Sequence, residues 1–256
     1  MKEFKPLRIA GIIPARYAST RFPGKPIAML GDRTVIQRVY EQAEKSQGMV
    51  YVATDDDRIR EAVVKFGGKV IMTSPDHISG TDRCSEAVSV IESETTLKID
   101  VVINIQGDEP FIRPVQIDLL ASCFNDDSVE IATLIRKVLP GEDLQNINEA
   151  KVVINVKGDA IYFSRAVIPY MRDAEINEWT EKHNYYMHLG IYAYRTDTLK
   201  KLTSLNRSSL EIAESLEQNR WLENGFRIRT AVTEWESIGI DTPEDLERAK
   251  SLIKDF

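Results

Sequence analysis

The 256-residue sequence predicts an α/β fold in which a Rossmann-like, mostly parallel sheet carries helices on both faces and a smaller β-rich subdomain is attached. In the first half, short β-branched apolar runs alternate with segments whose apolar residues recur at helical spacing, an order typical of parallel sheets. The hydrophobic fraction of 43% and the charged fraction of 29% are ordinary for a globular protein and argue against disorder. The length predicts one main domain over residues 1–256, since α/β units often exceed the roughly 150 residues of an average domain.

The first half of the sequence supplies four strand–helix units. The helical pattern is clear in residues 34–46, because Val35, Ile36 and Val39 fall on one face. In a parallel sheet built from such units, ligands bind at the carboxyl ends of the strands. The predicted elements are strand 8–15, helix 34–46, strand 49–54, helix 56–66, strand 69–72, helix 81–94, strand 100–106 and helix 115–124.

The alternation is weaker in the second half. A hairpin is expected around Lys157-Gly158-Asp159, and a helix is expected to start at Thr242, since Pro243 and the following acids suit a first turn. A polar segment, residues 171–185, is predicted to run over the surface. The remaining predictions are strand 130–135, loop 136–150, hairpin strands 151–156 and 160–163, strand 188–195, an amphipathic helix over 208–223 and strand 226–232.

Charge and cysteine content narrow the class of protein. The formal net charge of −7, from 33 basic and 40 acidic residues, argues against nucleic acid as a partner. No apolar run approaches the roughly 18 residues of a membrane span, and the N-terminus lacks the apolar core of a secretion signal. Cys84 and Cys123 have no metal-ligand spacing, which excludes a zinc finger or a disulfide scaffold. These features predict a reduced, cytoplasmic protein without a membrane partner.

The loop after the first strand, residues 13–26, is a candidate phosphate site. Gly24 and the neighbouring prolines predict a tight turn whose backbone N–H groups can face phosphates, and Arg16, Arg21 and Lys25 add charge-assisted donors. The alternative is an ordinary connection with solvated basic residues. Its position at the ligand-binding edge of the sheet favours the phosphate site.

Acidic motifs follow two other strands. Asp108 in Asn104-IQGDEP closes the fourth parallel strand, beside the basic loop, where a nucleotide-bound metal would lie. The run Asp55-Asp56-Asp57 is similar to the DxD metal motif of nucleotide-sugar glycosyltransferases. It also directly precedes a helix, whose positive end favours acids, and we prefer this capping interpretation.

The segment Ser79-Gly80-Thr81-Asp82-Arg83 joins a strand loop to a helix. Gly80 permits close approach of a ligand to the backbone, and the small polar side chains can bind the edge of a pyrimidine base. A plain helix-capping loop is an equally good interpretation of these residues alone.

Taken together, these segments resemble those of the sugar nucleotidyltransferases, and most closely the 3-deoxy-manno-octulosonate cytidylyltransferases. The resemblance extends over nearly the whole chain, in the family's order. Its motifs are IIPARYASTRFPGKP, ATDDDRI, SGTDR, NIQGDEP, YFSRAVIPY, HLGIYAYR, LEQNRWLENG and GIDTPEDLERA.

The resemblance implies the fold of the nucleotide-diphospho-sugar transferases and an activity. Such an enzyme transfers CMP from CTP to 3-deoxy-manno-octulosonate (Kdo), for lipopolysaccharide biosynthesis, and releases pyrophosphate. Implied catalytic residues are Arg16, Lys25 and Asp108, and the implied ligands of Mg²⁺ are Asp108 and Asp241. From the local sequence alone, Asp241 is equally a helix cap. The implied nucleotide-binding residues are Pro14, Ala15, Arg16, Arg21, Lys25, Ala53, Asp55, Ser79, Gly80, Thr81, Arg83 and Gln106.

The resemblance also implies a sugar half and a homodimer. Residues 1–135 would bind mainly the nucleotide, and residues 136–256 would bind the sugar and form the dimer. Glu214, Glu217 and Gln218 have the spacing of one helix face, which equally suits a solvated stripe. The implied sugar-binding residues are Arg21, Gln106, Arg165, His188, Tyr192, Glu217 and Gln218, with Glu211 in a neighbouring segment.

Two other functions remain compatible with the motifs. One is a cytidylyltransferase for another acidic sugar, such as a sialic acid. The other is a non-catalytic nucleotide-binding module on the same fold. A non-catalytic module would be expected to lack the carboxylates or the loop cations, and all of them are present in this sequence.

Overall fold

The computed structural model describes residues 6–253, so the N-terminal residues 1–5, examined above for a secretion signal, lie outside the described range. Its strands are β1 Ile9–Ala15, β2 Met29–Leu30, β3 Arg33–Thr34, β4 Val50–Thr54, β5 Val70–Met72, β6 Val101–Asn104, β7 Ile131–Lys137, β8 Lys151–Ile154, β9 Ala160–Ser164, β10 Tyr186–Arg195 and β11 Ile228–Thr233. Its α-helices are α1 Val35–Ser46, α2 Asp57–Lys65, α3 Gly80–Thr95, α4 Pro114–Ser122, α5 Trp179–Lys182, α6 Thr196–Thr203, α7 Ser209–Glu214, α8 Glu217–Glu223 and α9 Pro243–Leu252.

The main sheet confirms the predicted α/β class. Its strand order is β11-β7-β10-β6-β1-β4-β5, and β1 pairs in parallel with both β4 and β6. β10 is antiparallel to β6 and to β7, which makes the sheet mixed. The β8–β9 hairpin joins the same sheet, because Lys151 pairs with Met187 of β10. No helix within residues 6–253 is long and apolar enough to cross a membrane.

Alternation along the strands creates two apolar layers. In β1, Ala10 and Ile12 face one side and Ile13 faces the other, as the two-residue period of a strand requires. The first layer packs against α3, α6 and α8, and the second against α1, α2 and α4. Burial of these residues holds helices on both faces and fixes where the strands end.

Pro14 lies inside β1, as the predicted strand 8–15 implies. It pairs with Ala53 of β4, whereas the pairing of β1 with β6 stops at Ile12. Proline cannot donate a backbone hydrogen bond. Because β6 has already diverged at this point, the missing donor costs no ladder bond on that side.

The second half departs from the predicted elements in two places. The helix expected over 208–223 is two helices, α7 and α8, because Ser215 adopts a left-handed conformation with φ of 52°. The segment 171–185 is not simply a polar surface excursion. Trp179 and Tyr185 are buried and stacked with ring centroids 6.0 Å apart, and they pack with Met187 in a separate apolar cluster.

The loop after β6 packs closely against the end of β1, and this contact can be tested directly. A Cβ added at Gly107 would lie 2.8 Å from the carbonyl oxygen of Pro14, a backbone atom that cannot move freely. We therefore expect Gly107→Ala to lower the free energy of unfolding by about 1–3 kcal/mol in urea denaturation. The control is Gly48→Ala, where a Cβ meets nothing within 4 Å. Equal stability of the two variants would contradict the close approach.

Candidate active site

Two adjoining cavities open at the carboxyl ends of β1 and β6. The smaller has a volume of about 270 Å³ and the larger about 840 Å³. Four residues line both cavities and so mark their border, namely Gly80, Gln106, Asp108 and Asp241. The position agrees with the rule that open α/β sheets bind ligands beyond the carboxyl ends of their strands.

The basic loop forms one wall of the smaller cavity. Gly24 has φ of 74° and its N–H donates to the carbonyl of Tyr17 at 2.9 Å, which closes the turn before Lys25. Arg16 and Arg21 remain exposed at the cavity. The loop therefore presents its cations to a single enclosed space, as the sequence predicts.

Lys25 lies between two carboxylates at the border of the cavities. Its Nζ is 2.6 Å from Oδ2 of Asp108 and 3.2 Å from Oδ1 of Asp241, and the side chain is only 12% exposed. Arg21 also contacts Asp241, at 3.1 Å. Lys25 is thus a largely enclosed member of a charge cluster and not a solvated loop cation.

Asp241 is free for this contact because it does not cap α9. Thr242 is the cap, and its hydroxyl accepts from the backbone N–H of Asp245 while the Asp245 carboxylate accepts from the N–H of Thr242. Ile240 donates to the carbonyl of Asp108 at 2.9 Å, which ties this loop to the end of β6. The capping alternative for Asp241 is therefore wrong.

Glu109 is a site residue that the sequence interpretation missed. Burial and, to a smaller extent, the nearby Asp108 and Asp241 raise its pKa to about 8, against the lowering effect of a hydrogen bond with Ser237. At neutral pH this carboxyl is largely protonated, which limits the negative charge at the border. Its position next to Asp108 in the same motif could have identified it from the sequence.

The 79–83 segment both caps a helix and lines the cavities. Ser79 caps α3 in a capping box with Asp82, and Gly80 lies against Pro14, whose ring would be 3.2 Å from an added Cβ. Arg83 is buried, pairs with Asp55 at 3.0 Å and donates to Thr73 at 2.6 Å. The capping alternative is correct, and it leaves the loop available to a ligand.

Ala53 and Asp55 line neither cavity, unlike the other nucleotide-binding candidates. Ala53 is fully buried, and Asp55 forms the ion pair with Arg83. Asp56 caps α2 by accepting from the N–H of Arg58, so the preferred interpretation of the acidic run is confirmed. The smaller cavity is lined by the other candidates except Thr81, which lines the larger one: Pro14, Ala15, Arg16, Arg21, Lys25, Ser79, Gly80, Arg83 and Gln106.

His188 lies on the wall of the larger cavity in an apolar setting. Its ring packs against Phe163 and Tyr192 with centroids 5.1 Å away in each case. Burial lowers its pKa to about 3, so it is neutral at physiological pH. Nε2 lies 3.0 Å from Oγ1 of Thr133 and 3.2 Å from the backbone nitrogen of Gly190, in the bulge of β10. His188 can therefore offer a hydrogen bond but no positive charge.

Other candidates bring polar groups to the same cavity. Gln106 donates to the carbonyl of Gly190 at 3.0 Å, and Tyr192 and Glu217 also line the wall. Nε2 of the buried Gln218 and Oδ1 of the buried Asn104 have no hydrogen-bond partner in the protein. Both side chains belong to residues on the wall of the larger cavity. Asn104 is a further residue that the sequence interpretation missed.

Four residues named for the sugar half make contacts that the sequence does not indicate. Arg21 lines the smaller cavity. Glu214 does not share a helix face with Glu217, because α7 ends there, and it accepts from Ser164 and from the N–H of Arg165. Arg165 lines the larger cavity but donates to the carbonyls of Glu214 and Ile147, at 2.8 and 2.9 Å. Glu211 is buried in ion pairs.

Comparison with known proteins agrees with this geometry. A cytidylyltransferase family model matches residues 10–232. The 3-deoxy-manno-octulosonate cytidylyltransferase of Bacteroides thetaiotaomicron is 55% identical over 97% of this chain and 99% of its own, and that of Thermodesulfovibrio yellowstonii is 47% identical over 96% and 98%.

A solved structure of CMP:2-keto-3-deoxy-manno-octonic acid synthetase complexed with CTP is 42% identical to this chain. The two share a TM-score of 0.86, over 97% of this chain and 99% of that one. A cytidylyltransferase from Leptospira borgpetersenii is similar in fold alone, with 23% identity and a TM-score of 0.63. The chain belongs to the 3-deoxy-manno-octulosonate cytidylyltransferase family.

Proposed function

We propose that this protein transfers CMP from CTP to the anomeric hydroxyl of Kdo, giving CMP-Kdo and pyrophosphate and so activating Kdo for lipopolysaccharide biosynthesis. The observation that carries the proposal is the cluster of Lys25, Asp108 and Asp241 at the border of two cavities. A transfer between two substrates needs both of them held against one reacting centre.

The smaller cavity is suited to the nucleotide. Arg16, Arg21 and Lys25 face it from one side and the 79–83 segment from the other. Arginine presents a planar fork that matches two phosphate oxygens, whereas lysine acts as a point charge. We assign the triphosphate to the loop cations and the cytosine to the 79–83 segment with Gln106.

The larger cavity is suited to the polyhydroxylated sugar. Its wall carries the amide side chains of Gln218 and Asn104 and the neutral ring of His188. Such groups exchange hydrogen bonds with hydroxyls without adding net charge. We assign Kdo to this cavity, with Arg165, Tyr192 and Glu217 also on its wall.

Asp108 and Asp241 are suited to hold Mg²⁺. Each places a carboxylate oxygen within 3.2 Å of the same ammonium group, so the two face one small volume. Within residues 6–253 no group of three or more His, Cys, Asp or Glu side chains could hold a metal ion, but Mg²⁺ takes one or two carboxylates and completes its shell with phosphates and waters. Bound there, Mg²⁺ would neutralise phosphate charge and acidify a coordinated hydroxyl.

The reaction we propose is a direct in-line displacement. The anomeric oxygen of Kdo forms a bond to the α-phosphorus, the bond to the pyrophosphate oxygen breaks, and the hydroxyl proton is released. Arg16 and Lys25 offset the negative charge that builds up on the transferred and leaving groups. Catalysis is then mainly positioning and electrostatic stabilisation, without a covalent enzyme intermediate.

The proposal includes a cytoplasmic homodimer, and its support is the family resemblance.

A cytidylyltransferase for a sialic acid would use the same cluster, so the choice of sugar depends on the larger cavity. The non-catalytic alternative is disfavoured, since Lys25, Asp108 and Asp241 are all present and in contact.

A pyrophosphate-release assay tests the function and both substrate choices. With CTP and Mg²⁺, we expect release only when Kdo is added, and little release with N-acetylneuraminate. Replacing CTP by UTP is expected to lower kcat/KM at least about tenfold, because the wrong base leaves donors and acceptors of the 79–83 segment unpaired. Kdo-independent release, or equal kcat/KM for the two nucleotides, would contradict the assignment.

Asp108→Asn tests the metal-binding carboxylate. The change keeps the side chain's size and removes its charge, so we expect turnover to fall more than about tenfold, equivalent to about 1.4 kcal/mol of barrier, at ordinary Mg²⁺ concentrations. Asp118→Asn, at an exposed position on α4, is the matched control. A melting curve on the same samples shows whether the fold is retained. A variant that keeps more than a tenth of the wild-type rate would disprove the role.

Lys25→Met tests the ammonium between the carboxylates. We expect kcat/KM for CTP to fall at least about tenfold, because the triphosphate loses a charge partner. Removing the ammonium also leaves Asp108 and Asp241 facing each other, so Mg²⁺ should raise the melting temperature of the variant more than that of the wild type. Lys45→Met, at an exposed position on α1, is the control. An unchanged response to Mg²⁺ would place the metal elsewhere.

A further inference from the structure

Arg220 of α8 contacts acceptors from three different parts of the chain. Its NH1 donates to the carbonyl of Leu205 at 3.0 Å, its NH2 donates to Oε1 of Glu217 at 2.7 Å, and its Nε is 3.4 Å from Oε2 of Glu211. The residue is 8% exposed. Arg220 thus joins the loop after α6, the helix α7 and the first turn of α8.

The contact with Glu217 leads from Arg220 to the site. The second carboxylate oxygen of Glu217 accepts from the hydroxyl of Thr81 at 2.7 Å. Thr81 is in the first turn of α3, next to Gly80, which lines both cavities. Glu217 is therefore held from two sides, by a nucleotide-side helix and by Arg220.

Glu217 depends on Arg220 for its charge as well as its orientation. Burial raises the pKa of this carboxyl, and the hydrogen bond from Thr81 and the positive charge of Arg220 lower it. Without the guanidinium, this buried carboxylate would keep only the neutral hydroxyl partners Thr81 and Ser79. A buried charge that loses its partner either moves or becomes protonated.

We infer that Arg220 is a positioning residue for the sugar half of the site, which fixes the Glu217 carboxylate and the first turn of α8 against the sugar acid. Gln218 follows Glu217 directly and also lines the larger cavity. A displacement of Glu217 would therefore move both residues. The inference rests on the proposed function, which assigns the sugar to this cavity.

The geometry also explains why arginine is required. The planar guanidinium donates hydrogen bonds to Leu205 and Glu217 and keeps its charge beside Glu211 at the same time. A lysine at this position would reach one acceptor at a time, so Arg220→Lys should give a defect of the same kind as Arg220→Met but smaller.

Steady-state kinetics with CTP and Kdo test the inference. We expect Arg220→Met to raise KM for Kdo at least about tenfold while KM for CTP changes less than about twofold. Arg207→Met is the matched control, because Arg207 also pairs with Glu211, at 3.3 Å, but is exposed and does not contact Glu217. It should leave both KM values near those of the wild type.

A double-mutant cycle separates positioning from general stability. If Arg220 acts through Glu217, adding Arg220→Met to Glu217→Gln should raise KM for Kdo less than about twofold further, since the two residues share one effect. Additive effects, an equal rise in both KM values, or the same defect in Arg207→Met would overturn the inference.

Melting curves cover the case of a folding defect. If Arg220→Met is unfolded at the assay temperature, Arg220→Lys is judged by the same criteria. Failure of both variants to fold would show that Arg220 serves stability alone and would overturn the inference. A wild-type protein that releases pyrophosphate with another sugar acid but not with Kdo would instead contradict the proposed function.

Discussion

The ion cluster formed by Lys25, Asp108 and Asp241 is the contact on which the arrangement of both cavities depends. The two carboxylates come from positions 83 and 216 residues along the chain from the lysine. Asp108 and Asp241 each lie in a loop and not in a helix or strand, so local secondary structure does not fix their positions. The ammonium offsets the repulsion between them, and burial together with these two carboxylates raises the pKa of the neighbouring Glu109.

The charge of the two cavity walls differs on either side of this cluster. Basic side chains outnumber acidic ones around the smaller cavity, and acidic side chains outnumber basic ones around the larger cavity. The basic wall of the smaller cavity therefore attracts a polyphosphate. The sheet produces this separation, because β1 supplies the basic loop and β10 supplies the wall of His188 and Tyr192.

Much of the fold and the nucleotide side could be predicted from sequence because they depend on local signals. Apolar periodicity located the strands and helices of the first half, the basic loop follows β1, and the 79–83 segment begins α3. The sugar side depends on longer-range packing. The break at Ser215 needs a left-handed serine, a conformation that no residue pattern in 208–223 indicates, and it moves Glu214 away from Glu217. The buried Trp179 likewise owes its position to tertiary contacts that override a polar segment.

The same contrast applies to the acidic residues. Asp56 and Asp241 both precede a helix, yet Asp56 caps α2 while Thr242 takes the capping position of α9. The difference between the two helices is the hydroxyl of Thr242. This side chain caps the first turn of α9, so the neighbouring carboxylate of Asp241 is not needed as a cap. Asp241 is thereby released towards Lys25. In this site, the identity of a cap residue therefore determines whether a carboxylate stabilises a helix or becomes available for binding.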